Sequence, residues 1–184
     1  MNAPVPDVGD PVHSGSPDRP TVVLVGPPGA GKSTVAQLLS SRWDVPWCDT
    51  DDLVVARAGK PIADIFVDAG ETAFRALEQE AVAEALSAQC RVVSLGGGAI
   101  LSTATRKLLS GHAVVFLDVG LAAAASRVGL GVARPLLLGN VRSQLKVLLD
   151  ARRPLYEEVA NFTVATDALS GEEVAVEIER RLDG

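Results

Sequence analysis

From Thr21 onward, short apolar runs alternate with stretches whose apolar residues recur every three to four positions. Val22-Val23-Leu24-Val25 and Val114-Val115-Phe116-Leu117 are apolar at every position. Strands of a parallel sheet covered on both faces carry that pattern, whereas a sheet with one wet face alternates. The runs predict strands at 21–25, 45–48, 92–95, 113–118 and 161–165, the second weakened by Pro46. Helices are predicted at about 32–42 and at about 71–89, where Phe74, Leu77, Ala81 and Ala85 share one face. The last helix opens at Ser170-Gly-Glu-Glu173, a capping-box sequence. Its Val174, Ile178 and Leu182 form a single core-facing stripe. Strands separated by helical crossovers imply an α/β fold, a mainly parallel sheet with helices on both faces.

Two segments break the pattern. Residues 1–20 hold five of the eleven prolines, two glycines and almost no large apolar side chain. Such a segment buries too little surface to offset its ordering entropy, so a flexible tail is expected, followed by one domain over 21–184. Residues 129–140 hold three glycines, one proline and Arg134. They read either as a surface loop or as a mobile lid that carries an arginine.

Composition narrows the class. The chain has 184 residues, enough for one core without staples. No apolar run approaches the ~20 residues that span a bilayer. No basic stretch leads into an apolar one at the start, so a cytoplasmic protein is expected. The two cysteines, Cys48 and Cys90, are too few for a disulfide scaffold and read as buried, inert thiols. A net charge of −6 argues against nucleic-acid and membrane-surface partners. Anionic ligands would therefore need a local cluster of Arg and Lys. No His/Cys spacing resembles a zinc site.

The strongest chemical signal is Gly26-Pro-Pro-Gly-Ala-Gly-Lys32-Ser33, a full G-x-x-x-x-G-K-[ST] phosphate loop between a predicted strand and a predicted helix. Its N–H groups can turn toward phosphate oxygens, Lys32 can reach the β- and γ-phosphates, and the Ser33 hydroxyl can bind Mg²⁺. Asp49-Thr50-Asp51-Asp52 follows the second strand, where α/β ligand crevices open. It reads as a metal-and-base pair of carboxylates or as an acidic cap on a helix starting at Leu53. Arg75 and Glu78 are i, i+3 neighbours, either a surface pair or part of a site. Gly96-Gly97-Gly98 after the third strand reads as a close backbone approach to a ligand or as a plain turn. Arg152-Arg153 offers a fork for a carboxylate, or a dipole contact at a helix end.

Together these stretches resemble the shikimate kinase family over about 21–182. The resemblance rests on G-P-P-G-A-G-K-S-T at 26–34, D-T-D at 49–51, A-D-I-F at 63–66 and G-E-T-A-F-R-A-L-E at 70–78. It continues with S-L-G-G-G-A at 94–99, R-P-L-L at 134–137 and R-R-P-L-Y at 152–156. It implies a five-stranded parallel sheet flanked by helices, akin to the P-loop nucleoside monophosphate kinases, with a mobile lid. It implies transfer of the ATP γ-phosphoryl group to the 3-hydroxyl of shikimate, in the chorismate pathway to aromatic amino acids, with Mg²⁺ as cofactor and a monomeric chain. By that resemblance Gly29, Ala30, Gly31, Lys32, Ser33 and Thr34 cradle the ATP phosphates. Ser33 binds Mg²⁺, with Asp49 assisting through water. Asp51 binds substrate hydroxyls and acts as base or orienter. Arg75 and Arg152 clamp the carboxylate, with Arg153 the alternative to Arg152, and Gly97 and Gly98 meet ring hydroxyls. Glu78 holds Arg75, while Phe66 and Phe74 pack by the ring. Arg134 closes on the transferring phosphate, and Arg127 lies along the nucleotide.

Two departures from the family pattern stand out. Arg127 is followed by Val128 where threonine is usual, and Thr166 to Ser170 contains no basic or aromatic residue for adenine. The rival readings are another small-molecule P-loop kinase, for gluconate or a nucleotide, and a nucleotide-dependent switch. Against a GTPase switch, none of Asn2, Asn140 and Asn161 is followed by lysine, so no N-K-x-D motif exists.

Overall fold

The computed structural model describes residues 20–88, 90–127 and 138–184. The elements run β1 (Val22–Val25), α1 (Lys32–Trp43), β2 (Trp47–Asp49), α2 (Thr50–Ala58), α3 (Ile62–Ser87) and β3 (Val92–Ser94). A 3₁₀ turn (Ala99–Leu101) follows, then α4 (Thr103–Leu108), β4 (Ala113–Asp118), α5 (Leu121–Arg127), α6 (Leu138–Val159), β5 (Phe162–Ala165) and α7 (Gly171–Leu182). All five predicted strands are present. They form one parallel sheet in the order β2-β3-β1-β4-β5. The tail reading and Arg134 fall outside the described residues. Of the proposed lid at 129–140, residues 138–140 form the first turn of α6.

Side chains along β1 alternate between faces because a strand has period two. Val22 and Leu24 join the core under α1 and α7, with Leu39, Leu117 and Ile178. Val23 and Val25 join the opposite core, with Val93, Phe116 and Tyr156. Each fully buried Val or Leu contributes about 1.5–3 kcal/mol, which is why this strand is apolar throughout. β1 lies between β3 and β4, where the chain crosses from one half of the sheet to the other. Ligand crevices of open α/β sheets form at such a switch, at the carboxyl ends of the strands.

The differences from the predicted elements have local causes. β2 begins after Pro46, not at Val45, since proline has no N–H for a ladder; the Pro46 carbonyl still accepts from Arg91 N–H at 2.8 Å. The helix expected at 71–89 extends back to Ile62, with a break at Gly70, whose φ of 78° lies in the left-handed region. The segment before Gly70 packs Ile65 with Val54 of α2 and Phe74 in a small third core. Arg57 of α2 ion-pairs with Glu80 and Glu84 of α3 across this seam. Cys48 and Cys90 are joined as a disulfide, which corrects the expectation of two free thiols. Pairing of β2 with β3 brings their Cα atoms to 6.0 Å, within the usual reach of such a bond. The predicted capping box on α7 is complete, Ser170 accepting from Glu173 N–H and Glu173 from Ser170 N–H.

Candidate active site

The phosphate loop leaves β1 and enters α1 through Gly26, Gly29 and Gly31, with φ of 151°, 80° and 88°. The close approach also matters at Gly29, where a Cβ would stand 2.9 Å from the Ala124 carbonyl oxygen of α5. Lys32 donates to the Pro27 carbonyl at 3.1 Å, folding back over the loop. Burial lowers its ammonium pKa to about 8, and Arg152 pushes the same way, against Asp51 and Asp49. Arg127 donates to the Gly29 carbonyl at 3.3 Å and to the Thr166 carbonyl at 2.7 Å. It therefore ties the phosphate loop to the end of β5, along the edge where the resemblance puts the nucleotide.

Asp49 does two things at once. One oxygen caps α2 by accepting from Asp51 N–H at 2.9 Å, and the other accepts from the Ser33 hydroxyl at 2.6 Å. The acidic-cap reading holds, with the helix starting at Thr50 instead of Leu53, and the same carboxylate also stands beside the phosphate-loop serine. Ser94, at the end of β3, brings a third oxygen to 3.3 Å from the Ser33 hydroxyl. Hydroxyl and carboxylate oxygens suit Mg²⁺, which keeps several waters and takes phosphate oxygens. Among the described residues no cluster of three or more His, Cys, Asp or Glu exists that could cage a metal alone. The set therefore fits Mg²⁺ brought with a nucleotide.

Asp51 turns toward Gly96. Its carboxyl pKa is raised by burial first and by Asp49 next, against the pull of Lys32 and Arg75. Arg75 donates to Glu78 at 2.7 Å and also meets Glu71 at 3.2 Å. Glu78 is 4% exposed, so this is no surface pair. Its burial raises the carboxyl pKa although Arg75 opposes the shift. The Arg75 guanidinium lies 5.2 Å from the centre of the Phe74 ring, and Phe66 packs on Phe74 with ring centres 4.6 Å apart.

The two arginines on α6 separate cleanly. Arg152 donates to the Gly97 carbonyl at 3.2 Å, facing the site. Arg153 instead pairs with Asp118 at 2.5 Å and with Glu157, beside the Phe116 ring. Neither arginine is only a dipole contact.

The three glycines after β3 are small because the site fills the space where their side chains would go. A Cβ on Gly96 would stand 2.5 Å from an Asp51 carboxylate oxygen and 3.1 Å from Glu78. A Cβ on Gly97 would meet Pro28 of the phosphate loop at 3.3 Å. A Cβ on Gly98 would run into the Arg75 guanidinium, 2.9 Å from Nη2 and closer to Nη1. Gly98→Ala is thus expected to displace Arg75 and raise the KM of the acceptor substrate roughly tenfold, with the KM for ATP unchanged. Initial rates against each substrate check this, and an unchanged acceptor KM would separate Arg75 from the substrate.

Three contributors were assigned no role from the sequence. Thr50, fully buried, accepts from Gly96 N–H at 2.8 Å and joins the aspartate cluster to the glycine loop. Ser94 joins the Ser33–Asp49 pair, and Tyr156 donates to Gly97. Thr50, Ser94 and Tyr156 lie inside D-T-D, S-L-G-G-G-A and R-R-P-L-Y, and their place in those stretches is the one available signal.

A phosphate loop, oxygen donors for a nucleotide-bound metal, a buried carboxylate and facing arginines, at the switch point of a parallel sheet, define a P-loop small-molecule kinase of the nucleoside monophosphate kinase-like fold. Comparisons with known proteins narrow that class. A family model described as shikimate kinase matches residues 28–183, and the chain belongs to the shikimate kinase family. A shikimate kinase from Thermobifida fusca is 55% identical over 164 residues, spanning 89% of this chain and 95% of the relative. The structure of shikimate kinase from Acinetobacter baumannii in complex with shikimate matches with a TM-score of 0.83 at 34% identity, covering 90% of this chain and 93% of that one. The enzyme from Aquifex aeolicus matches with a TM-score of 0.78 at 33% identity over 89% and 96%.

Proposed function

We propose how the residues of this chain divide the work of a shikimate kinase, the transfer of the ATP γ-phosphoryl group to the 3-hydroxyl of shikimate to give shikimate 3-phosphate and ADP. The observation that carries the reading is the convergence of Asp51, the Arg75–Glu78 pair, Arg152 and Pro28 of the phosphate loop on Gly96–Gly98. A small ring with one carboxylate and several hydroxyls suits two arginines, a carboxylate and exposed peptide groups. The arginines supply positive charge locally in a chain whose net charge is −6.

In this reading the amides from Gly29 to Thr34 hold the ATP phosphates at the start of α1, where the helix dipole favours anions. Lys32 neutralises charge on the β- and γ-phosphates. Ser33 and Asp49 would hold Mg²⁺, which when bound would screen phosphate charge. Arg75 and Arg152 orient shikimate by its carboxylate, and the Gly97 and Gly98 backbone meets the ring hydroxyls. Asp51 takes the proton of the attacking hydroxyl or orients it, and its raised pKa makes it a better base than an ordinary aspartate. Arg127 flanks the nucleotide. Arg134, assigned by family resemblance, meets the transferring phosphate. The chain is taken as a cytoplasmic monomer with no nucleic-acid or membrane partner. No described helix is long and apolar enough to cross a membrane.

A coupled ADP-release assay with Mg·ATP tests the reading, run with shikimate, with gluconate, with nucleoside monophosphates and with no acceptor. Release with shikimate alone is expected. Release with another acceptor would overturn the clamp, and release with none would make the chain an ATPase.

Lys32 adds a pH signature. Its pKa of about 8 applies without nucleotide, and adjacent phosphates raise it. Only the protonated form pairs with phosphate, so affinity for nucleotide is expected to hold below pH 7 and to fall as pH rises above 8. Calorimetry at pH 8 in two buffers of different ionisation enthalpy is expected to show uptake of about half a proton per nucleotide. No uptake would remove Lys32 from the phosphates.

A further inference from the structure

Tyr156 is buried, yet it is a polar residue in an apolar core and its hydroxyl reaches the site. Its ring stacks on Phe116 with centres 5.0 Å apart, on the side of the sheet that α6 covers. The hydroxyl donates to the Gly97 carbonyl at 2.6 Å, and burial pushes its pKa up to about 12, so it stays a donor across the working pH range. Arg152, one helical turn earlier on the same face of α6, donates to the same oxygen at 3.2 Å. One carbonyl therefore receives two bonds from α6. On the other side of the loop, Thr50 holds Gly96 N–H at 2.8 Å.

We propose that Tyr156 is a positioning residue for the acceptor substrate, setting the Gly96–Gly98 loop and the Arg152 guanidinium in one arrangement through the Gly97 carbonyl. The inference rests on the shikimate-kinase reading of the site. No peptide bond is cis among the described residues, so the Gly98 N–H points opposite to the Gly97 C=O. Holding the carbonyl toward Tyr156 thus fixes the direction of the Gly98 N–H as well. Glycine peptides rotate at little steric cost, so without a strong donor this unit has nothing intrinsic to hold it. A flipped peptide would misdirect one backbone donor and leave Arg152 without its acceptor. Tyr156 is 1% exposed and its hydroxyl is spent on Gly97, so it acts through the loop.

Tyr156→Phe removes the hydroxyl and keeps the ring on Phe116. The buried ring packing is unchanged, so the variant keeps its fold. Initial rates are measured with each substrate varied, at a temperature well below the thermal midpoint of both proteins. The KM for shikimate is expected to rise about five- to tenfold, the loss of one buried hydrogen bond, with the KM for ATP within about twofold of wild type. A lowered thermal midpoint with an unchanged shikimate KM would make Tyr156 a core residue only and overturn the proposal. An equal rise in both KM values would also overturn it, as general loosening. Arg152→Lys in the same assay tests the underlying reading separately. If that variant leaves the shikimate KM unchanged, the carboxylate clamp fails whatever Tyr156→Phe shows.

Discussion

Replacing Asp51 with asparagine is expected to lower kcat about a thousandfold while the KM for ATP stays within about threefold. The substitution keeps shape and removes charge and basicity. Asp51 N–H, not its side chain, takes part in the cap on α2, so the helix start survives. Among the described residues the carboxylate forms no ion pair and feels Lys32 and Arg75 only through their fields, so the fold does not depend on it. The same variant separates the two roles left open for this residue. A base accepts the proton of the attacking hydroxyl, and general base catalysis contributes about 10²–10⁴ in rate. The acid limb of kcat/KM in the wild type, which reports the free enzyme, then lies above the ordinary aspartate range, since burial and Asp49 raise the Asp51 pKa, and the limb vanishes in the variant. If Asp51 only orients the hydroxyl, the loss is nearer tenfold and the limb persists. Wild-type rates in Asp51→Asn would remove the residue from the chemistry.

Replacing Arg75 with alanine is expected to fail twice, in binding and in folding. Loss of one of two carboxylate arginines raises the KM for shikimate by about two orders of magnitude, the cost of truncating a desolvated charge pair. It also leaves Glu78 buried without its partner. A fully buried broken pair costs about 3–5 kcal/mol, and Arg75 is partly open to solvent, so about 2–3 kcal/mol is expected here. The stability loss carries a pH sign. Burial holds the Glu78 pKa above its unfolded value even with Arg75 present, so Glu78 favours the folded state less as pH rises through that range. Without Arg75 the folded value moves higher still. The deficit should therefore be greatest near neutral pH and shrink on acidification toward the ordinary carboxylate range. Chemical denaturation at several pH values checks this, and a pH-independent deficit would contradict the buried-pair account. A second variant, Arg75→Met with Glu78→Gln, is expected to recover most of the stability and none of the shikimate affinity.

Much of the frame was legible along the chain. The continuous apolar runs of β1 and β4 identified doubly covered strands. The glycines of the phosphate loop were spaced for positive φ values, and Ser170-x-x-Glu173 closed its own cap. Each of these depends on residues within a few positions, through sterics, strand period or a local hydrogen bond. The helix before Gly70 escaped notice because its one buried anchor, Ile65, packs on Val54 of α2 and Phe74, not on a periodic neighbour. Val67 of that turn is 84% exposed and Phe66 only partly covered, so no clean stripe marks it.

The sequence alone was sufficient for the class of fold, the phosphate loop and the inventory of charged groups able to hold an anion, since these rest on local rules. Tertiary structure decided which members of that inventory meet. Strand order brings Cys48 to Cys90, and it leaves Arg152 on the Gly97 carbonyl while Asp118 takes Arg153. It also supplies the reason for three consecutive glycines, because Asp51, Pro28 and Arg75, from three separate segments, occupy the space a side chain would need. Spacing along a chain cannot report such meetings, because they arise from crossover and register between segments tens of residues apart.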